Sequence, residues 1–118
     1  MPKISPRAEV TSHPVYQATM AAQHIAYQLM REVPADRKAE ATLLHGACVH
    51  MTAYAAYALD PAAKNPSASW RGLAEAARDA RERIAPLAGF AVDEKDMETL
   101  RALLDQVESA AADALEAA

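Results

Sequence analysis

Residues 33–66, VPADRKAEATLLHGACVHMTAYAAYALDPAAKNP, decide the fold of this chain. Eight alanines lie between Pro34 and Pro61. Alanine has the best helix propensity, whereas a proline in a helix interior costs about 3 kcal/mol relative to it. Apolar residues recur here at the spacing of one helix face, namely Leu44, Ala47, Cys48, Met51, Ala55 and Ala58. The pattern predicts a helix from about Pro34 to Leu59, followed by a loop that reaches Pro66.

Similar stripes predict a helix on each side of this stretch. The preceding helix begins at Pro14, because a proline is accepted in a first turn, and its stripe is Val15, Ala18, Ala22, Ile25, Leu29 and Val33. The following helix, from about Ser67 to Ala88, carries Trp70, Leu73, Ala77, Ala80, Ile84 and Leu87. Pro86 is expected to distort its last turn, and Gly89 to stop it.

A fourth helix is predicted after Asp93, a good N-cap residue. Its apolar face is Met97, Leu100, Leu103, Leu104, Val107, Ala111, Ala114 and Leu115. Short connections between the first two and the last two helices favour antiparallel neighbours. We therefore predict an all-α, antiparallel up-down-up-down four-helix bundle over residues 14–118, preceded by a flexible arm over residues 1–13.

The apolar composition favours self-association. Thirty of the 118 residues are alanine, and only 26 are Leu, Ile, Val, Met, Phe or Trp. Because small side chains bury little apolar area, at about 25 cal/mol per Å2, burial between subunits would add considerably to stability. We expect a homo-oligomer.

Charge and targeting signals restrict the partners. The net charge is −4, and eight acids face two bases from Asp93 onward, which disfavours a general polyanion-binding surface. The single cysteine, Cys48, gives no disulfide framework. The first residues lack the apolar run of a signal peptide, and no stretch is long and apolar enough to span a membrane. We predict a soluble, cytoplasmic protein with no membrane partner.

Two side chains on the second helix raise the question of metal chemistry. His45 and Cys48 are three residues apart and share a helix face, so a transition-metal site would need two more ligands, for which His24 is one candidate. Cys48 lies on the face predicted to be core, where a thiol is inert. We predict no metal, no cofactor and no catalytic residue, with a metal-dependent enzyme as the second alternative.

Two surface groups remain as candidate binding sites. Arg71, Arg78, Arg81 and Arg83 form a possible phosphate-binding patch, or an ion-paired surface in which Glu75 neutralises Arg78 and Asp79 neutralises Arg83. Tyr54 and Tyr57 stand one turn apart among alanines, which suits either an interface or packing within the chain.

Residues 25–59, IAYQLMREVPADRKAEATLLHGACVHMTAYAAYAL, resemble the intervening-sequence-encoded four-helix bundle family, which includes the accessory variability proteins of diversity-generating retroelements. The shared features are the Val33-Pro34 step, polar residues 35–38 and a second helix rich in small residues. Gly89-Phe90 and the later leucine stripe resemble the family's turn and last helix.

This resemblance implies a cytoplasmic homopentamer and, in the retroelement branch, binding of nucleic acid and a reverse transcriptase. The family's basic pair is replaced here around His45-Gly46 and its Glu-Gly ending is absent at Ala58-Leu59. Together with the net charge, these departures disfavour nucleic-acid binding. The leading hypothesis is a non-enzymatic homo-oligomer that acts as an interaction or scaffold protein, and the first alternative is a nucleic-acid-binding accessory factor.

Overall fold

The computed structural model describes residues 8–90 and 93–117, and this part of the chain is helical with no strand. The five α-helices are α1 (Ala8–Thr11), α2 (Pro14–Glu32), α3 (Lys38–Leu59), α4 (Pro66–Ile84) and α5 (Glu94–Ala117). Single turns of 3-10 helix follow α2 at Ala35–Arg37 and α4 at Ala85–Leu87. The predicted all-α class is confirmed.

Local polar groups fix where the helices begin. Nδ1 of His13 accepts the Val15 N–H at 3.1 Å at the start of α2. Oδ1 of Asn65 accepts the Ala68 N–H at 3.2 Å at the start of α4. Oδ1 of Asp93 accepts the Lys95 N–H at 2.8 Å, as predicted for an N-cap. These acceptors satisfy donors that have no partner inside the helix.

Prolines and a glycine fix where the helices end. Val33, before Pro34, is extended, and Nζ of Lys38 donates to the carbonyls of Met30 and Arg31 at 2.8 and 2.9 Å. A cation at this end complements the helix dipole. Pro86 converts the end of the third predicted helix into the 3-10 turn, and Gly89 follows with a φ of 86°.

The four long helices pack in a cycle. α2 contacts α3, α3 contacts α4, α4 contacts α5, and α5 contacts α2. Ten of the 24 buried apolar residues in the described part of the chain are alanines. Alanine is therefore a large component of the core between the helices, and each alanine side chain contributes little apolar area.

The predicted arm over residues 1–13 differs from the structure in its second half. Ala8–Thr11 forms α1, whose Val10 is 2% exposed because α1 packs against α2 and α3. The hydroxyls of Thr11 and Ser12 both donate to the Ala8 carbonyl and close this turn. Residues 1–7 lie outside the described residues.

Candidate interaction surface

The outer side of α3 carries no charge over most of its length. From Ala41 to Leu59 the helix contains no Asp, Glu, Lys or Arg. Its inner side is buried, yet Leu43, Val49 and Tyr57 on the outer side are 52, 39 and 66% exposed. Large apolar side chains on a helix normally lie on a side that another element covers. The outer side of α3 is uncovered in the single chain.

Helix α2 extends this surface. From Pro14 to Met30 it also lacks Asp, Glu, Lys and Arg. Seven large apolar side chains are exposed in the described residues, and all but Phe90 lie on α2 or α3, namely Met20, Tyr27, Leu43, Val49, Tyr54 and Tyr57. We call the exposed side chains of residues 14–30 and 41–59 the uncharged face.

Direct contacts join the two halves of the uncharged face. The Thr52 hydroxyl donates to Oε1 of Gln23 at 2.9 Å. The rings of Tyr27 and His45 lie 5.7 Å apart between centroids and are tilted by 58°. A shallow, open depression of about 200 Å3 is lined by residues of both helices, namely Met20, Gln23, His24, Tyr27 and His45. The uncharged face is thus one continuous surface across α2 and α3.

The two candidate interface tyrosines have different environments. Tyr54 is 39% exposed and its ring lies over Gly72 of α4, where a Cβ would come within 2.6 Å of ring Cδ1. Tyr57 is 66% exposed. Packing within the chain therefore accounts for Tyr54, whereas Tyr57 is the more exposed of the two candidates.

Gly46 lies near the middle of α3, where neither steric crowding within the chain nor the backbone conformation requires a glycine. A Cβ built at this position meets nothing within 4 Å, and its φ is not positive. Glycine in a helix interior costs about 1 kcal/mol relative to alanine. The absence of a side chain leaves the α3 backbone open to close approach from outside.

Helices α4 and α5 carry most of the charge, and three of the four candidate arginines are ion-paired there. Arg78 and Arg81 both pair with Glu108 of α5, the first at 3.7 Å, and Arg81 also pairs with Asp105 at 3.3 Å. These contacts correct the predicted Glu75–Arg78 pair, because α5 packs on α4 and brings Glu108 between the two arginines.

The other predicted pair on α4 is confirmed. Nε of Arg83 donates to Oδ2 of Asp79 at 3.1 Å. Arg71 is exposed at the start of α4, outside the described ion pairs. The structure therefore does not bring the four arginines together as an unpaired patch, which weakens the phosphate-binding interpretation.

The candidate metal ligands are separated. Cys48 is fully buried, as the sequence predicted, and this burial raises the pKa of its thiol to about 12. His24 and His45 line the same open surface depression, whereas Cys48 lies in the core and does not line it. Within residues 8–90 and 93–117, no three or more His, Cys, Asp or Glu side chains cluster closely enough to hold a metal.

Comparison of the chain with known protein families, with curated protein sequences and with solved structures finds no match. The resemblance to the intervening-sequence-encoded family stays a prediction. None of the described helices is long and apolar enough to cross a membrane.

Proposed function

We propose that this protein is a non-enzymatic homo-oligomer that assembles through the uncharged face and acts as an interaction or scaffold protein. One observation carries the proposal: six of the seven large apolar side chains exposed in the described residues lie on α2 and α3, in stretches without a single charged residue. Contiguous exposed apolar surface on a folded chain is typical of an interaction site.

The charges on the remaining helices favour this face over the others for contact between copies. Residues 94–117 of α5 contain seven acids and two bases, a balance of −5. Two α5 surfaces brought together would repel each other. Contact through the uncharged face keeps these acidic surfaces apart and desolvates no charged side chain, which removes the largest penalty of association.

Small side chains suit a helix-to-helix contact at this face. Ala53 is exposed, and Gly46 has open space where a Cβ would stand. Helices approach closely where such residues meet, while Tyr57 and Leu43 supply apolar area around them. The thin core described above makes this additional burial valuable for stability.

The proposal includes the arrangement of the helices. The cycle of packing from α2 through α5 and back to α2, with connections of five residues between α2 and α3 and six between α3 and α4, supports an antiparallel up-down-up-down four-helix bundle. A pentamer and a cytoplasmic location are the further expectations, the first from the family resemblance and the second from the single cysteine.

Sedimentation velocity over a range of micromolar concentrations tests the proposal. A species heavier than the 12.7 kDa chain is expected, with a population that falls on dilution. A purely monomeric boundary at every concentration contradicts it. The mass of the assembly, compared with five times the chain mass, tests the pentamer separately.

A further inference from the structure

Three of the four histidines of the chain lie on the uncharged face. His24 belongs to the stretch 14–30, and His45 and His50 belong to the stretch 41–59. His24 and His50 are exposed, and His45 is partly exposed. Histidine is the residue type in these two stretches that ordinarily changes from neutral to charged between pH 5 and 8. We infer that protonation of these three histidines dissociates the assembly as the pH falls, an inference that rests on the proposed function.

The hydrogen bond of His24 is made by its uncharged form. The side-chain amide nitrogen of Gln28 lies 3.3 Å from Nε2 of His24. An amide nitrogen donates and does not accept, so this hydrogen bond requires an Nε2 that carries no proton. Protonation sets two donors against each other and breaks the contact.

His24 and His45 lie where a positive charge meets other cations. Both line the open depression of about 200 Å3, whose other three side chains are uncharged. The ring of Tyr27 lies 5.7 Å from that of His45, and the guanidinium of Arg31 lies 5.9 Å from the centroid of the same tyrosine ring. Protonation of both histidines therefore adds two like charges to one depression, close to a fixed cation.

The carboxylates of the neighbouring elements form no ion pair with a histidine in the part of the chain that the structure describes. The acids on α2, on α3 and on the elements packed against them are Glu32, Glu40, Glu9 of α1, Asp36 of the turn after α2, Glu75, Asp79 and Glu82 of α4, and the seven acids of α5. The bases on the same elements are Arg31, Arg37, Lys38, Arg71, Arg78, Arg81, Arg83, Lys95 and Arg101. Histidine protons on the uncharged face therefore gain no stabilisation from an ion pair within the described chain.

Assembly should consequently weaken in acid. A second copy covers the uncharged face most readily when the three rings are neutral, because a covered, unpaired cation is costly. The free chain then binds protons that the assembly does not, so a fall in pH favours the free chain. An ordinary histidine titrates near pH 6.5, so the Kd of assembly should rise as the pH falls below about 7, by up to about tenfold per pH unit for each covered histidine.

Overall charge predicts the opposite direction. The chain carries a net charge of −4 at pH 7 and has a pI of about 5.5, so repulsion between copies decreases as the pH falls over this interval. Weaker association in acid therefore indicates local charge on the uncharged face and not the overall charge of the chain.

Sedimentation velocity of the purified, tag-free protein at about pH 8 and about pH 6 tests the inference, over a concentration series that extends down to the free chain. We expect a Kd at least about tenfold higher at the lower pH, with native helix content by circular dichroism at both. The triple variant with His24→Gln, His45→Gln and His50→Gln should assemble with the same Kd at both pH values.

The fourth histidine supplies the matched control. His13 caps α2 through Nδ1 and lies outside both uncharged stretches. The variant His13→Asn keeps a capping side chain while removing a titrating ring. It should retain the full pH dependence of the wild-type protein.

The outcomes separate this inference from the proposed function. A wild-type Kd that is equal at both pH values overturns the inference and leaves the assembly standing. A wild-type protein that is monomeric at every concentration at about pH 8 overturns the proposed function and the inference together. Acid dissociation that persists in the triple variant, or that disappears in His13→Asn, overturns the inference alone. If the triple variant does not assemble at about pH 8, the three single replacements decide, and a full wild-type pH dependence in all three overturns the inference.

Discussion

The ring of Tyr54 on α3 occupies the space beside Gly72 on α4, where a Cβ would lie 2.6 Å from ring Cδ1 and 2.7 Å from Cζ. Real Cβ atoms do not approach other atoms this closely. A side chain at position 72 therefore requires the Tyr54 ring to move, and the close contact between α3 and α4 depends on both residues.

A double-mutant cycle measures this dependence. Gly72→Ala gains up to about 1 kcal/mol of helix propensity but displaces the Tyr54 ring. In a Tyr54→Ala background the obstruction is absent, so the same change should be more favourable by about 1 kcal/mol in chemical denaturation. Effects that add within about 0.3 kcal/mol would show that the two residues do not interact.

The ion pairs between α4 and α5 should contribute unequally to the free energy of unfolding. Glu108 contacts both Arg78 and Arg81 and is 23% exposed, whereas Asp105 contacts Arg81 and is 68% exposed. Glu108→Gln should lower the free energy of unfolding by about 1 kcal/mol, and Asp105→Asn by about 0.3 kcal/mol or less. Urea unfolding at low and high salt provides the measurement. Equal losses for the two variants would contradict this ranking.

Cys48 should give the protein an alkaline slope in stability. Burial raises the pKa of its thiol from 9.0 to about 12, so the unfolded chain loses this proton at lower pH than the folded one. Stability from this group is present below pH 9 and falls as the pH rises from about 9 to 12, by up to about 1.4 kcal/mol per pH unit. Unfolding of wild type and Cys48→Ala across this range isolates the contribution, since the other titrating groups are common to both. If the stabilities of wild type and Cys48→Ala change with pH in parallel, Cys48 does not contribute this slope.

Gly46→Ala should separate folding from assembly. The added methyl group meets nothing within 4 Å in the chain, so it should stabilise a monomeric background by up to about 1 kcal/mol through helix propensity. The same methyl group should weaken association by keeping a second helix away from α3. Denaturation of the Tyr57→Glu variant with and without Gly46→Ala measures the effect on stability. Sedimentation of the Gly46→Ala protein measures the effect on association. Unchanged association would place the contact elsewhere.

Helix boundaries were predictable because proline, glycine and capping residues act locally. α2 begins at Pro14 and ends before Pro34, as predicted, and Gly89 follows the turn after α4. The second predicted helix, expected from about Pro34, begins instead at Lys38, because residues 35–37 form a separate 3-10 turn. The start of α4 was missed by one residue, because the cap is Asn65 and Pro66 already occupies the first turn. The segment α1 was missed because one turn with a single large apolar residue, Val10, has no period to detect.

Burial was predictable for the apolar stripe of each helix, and less predictable for the residues at the edges of a stripe. The six residues expected on the inner side of the second predicted helix are all buried. On α2, however, Ala26 is fully buried while Ile25 is only half-buried, because the closest packing there accepts a methyl group. Contacts between helices, such as Glu108 with Arg78, depend on the register between α4 and α5, which local patterns do not contain.

The functional surface was visible in the sequence only in part. Their spacing predicts that Tyr54 and Tyr57 act as a pair, yet the Tyr54 ring packs against Gly72 of α4. The wider signal was the absence of charge over residues 14–30 and 41–59. The sequence does not show that the two uncharged stretches adjoin, because this depends on how α2 packs against α3. In the fold, His24 and His45 line one depression, whereas Cys48 lies in the core.

Light scattering on two matched charge variants tests the central claim most directly. Tyr57→Glu places a charge on the uncharged face, at a side chain that is 66% exposed, so it should leave the fold intact and reduce the mass to that of a single 12.7 kDa chain. Gln106→Glu adds the same charge on the exposed side of α5 and should leave the wild-type assembly unchanged. Dissociation by Gln106→Glu, or a wild-type mass retained by Tyr57→Glu, would contradict assembly through the uncharged face.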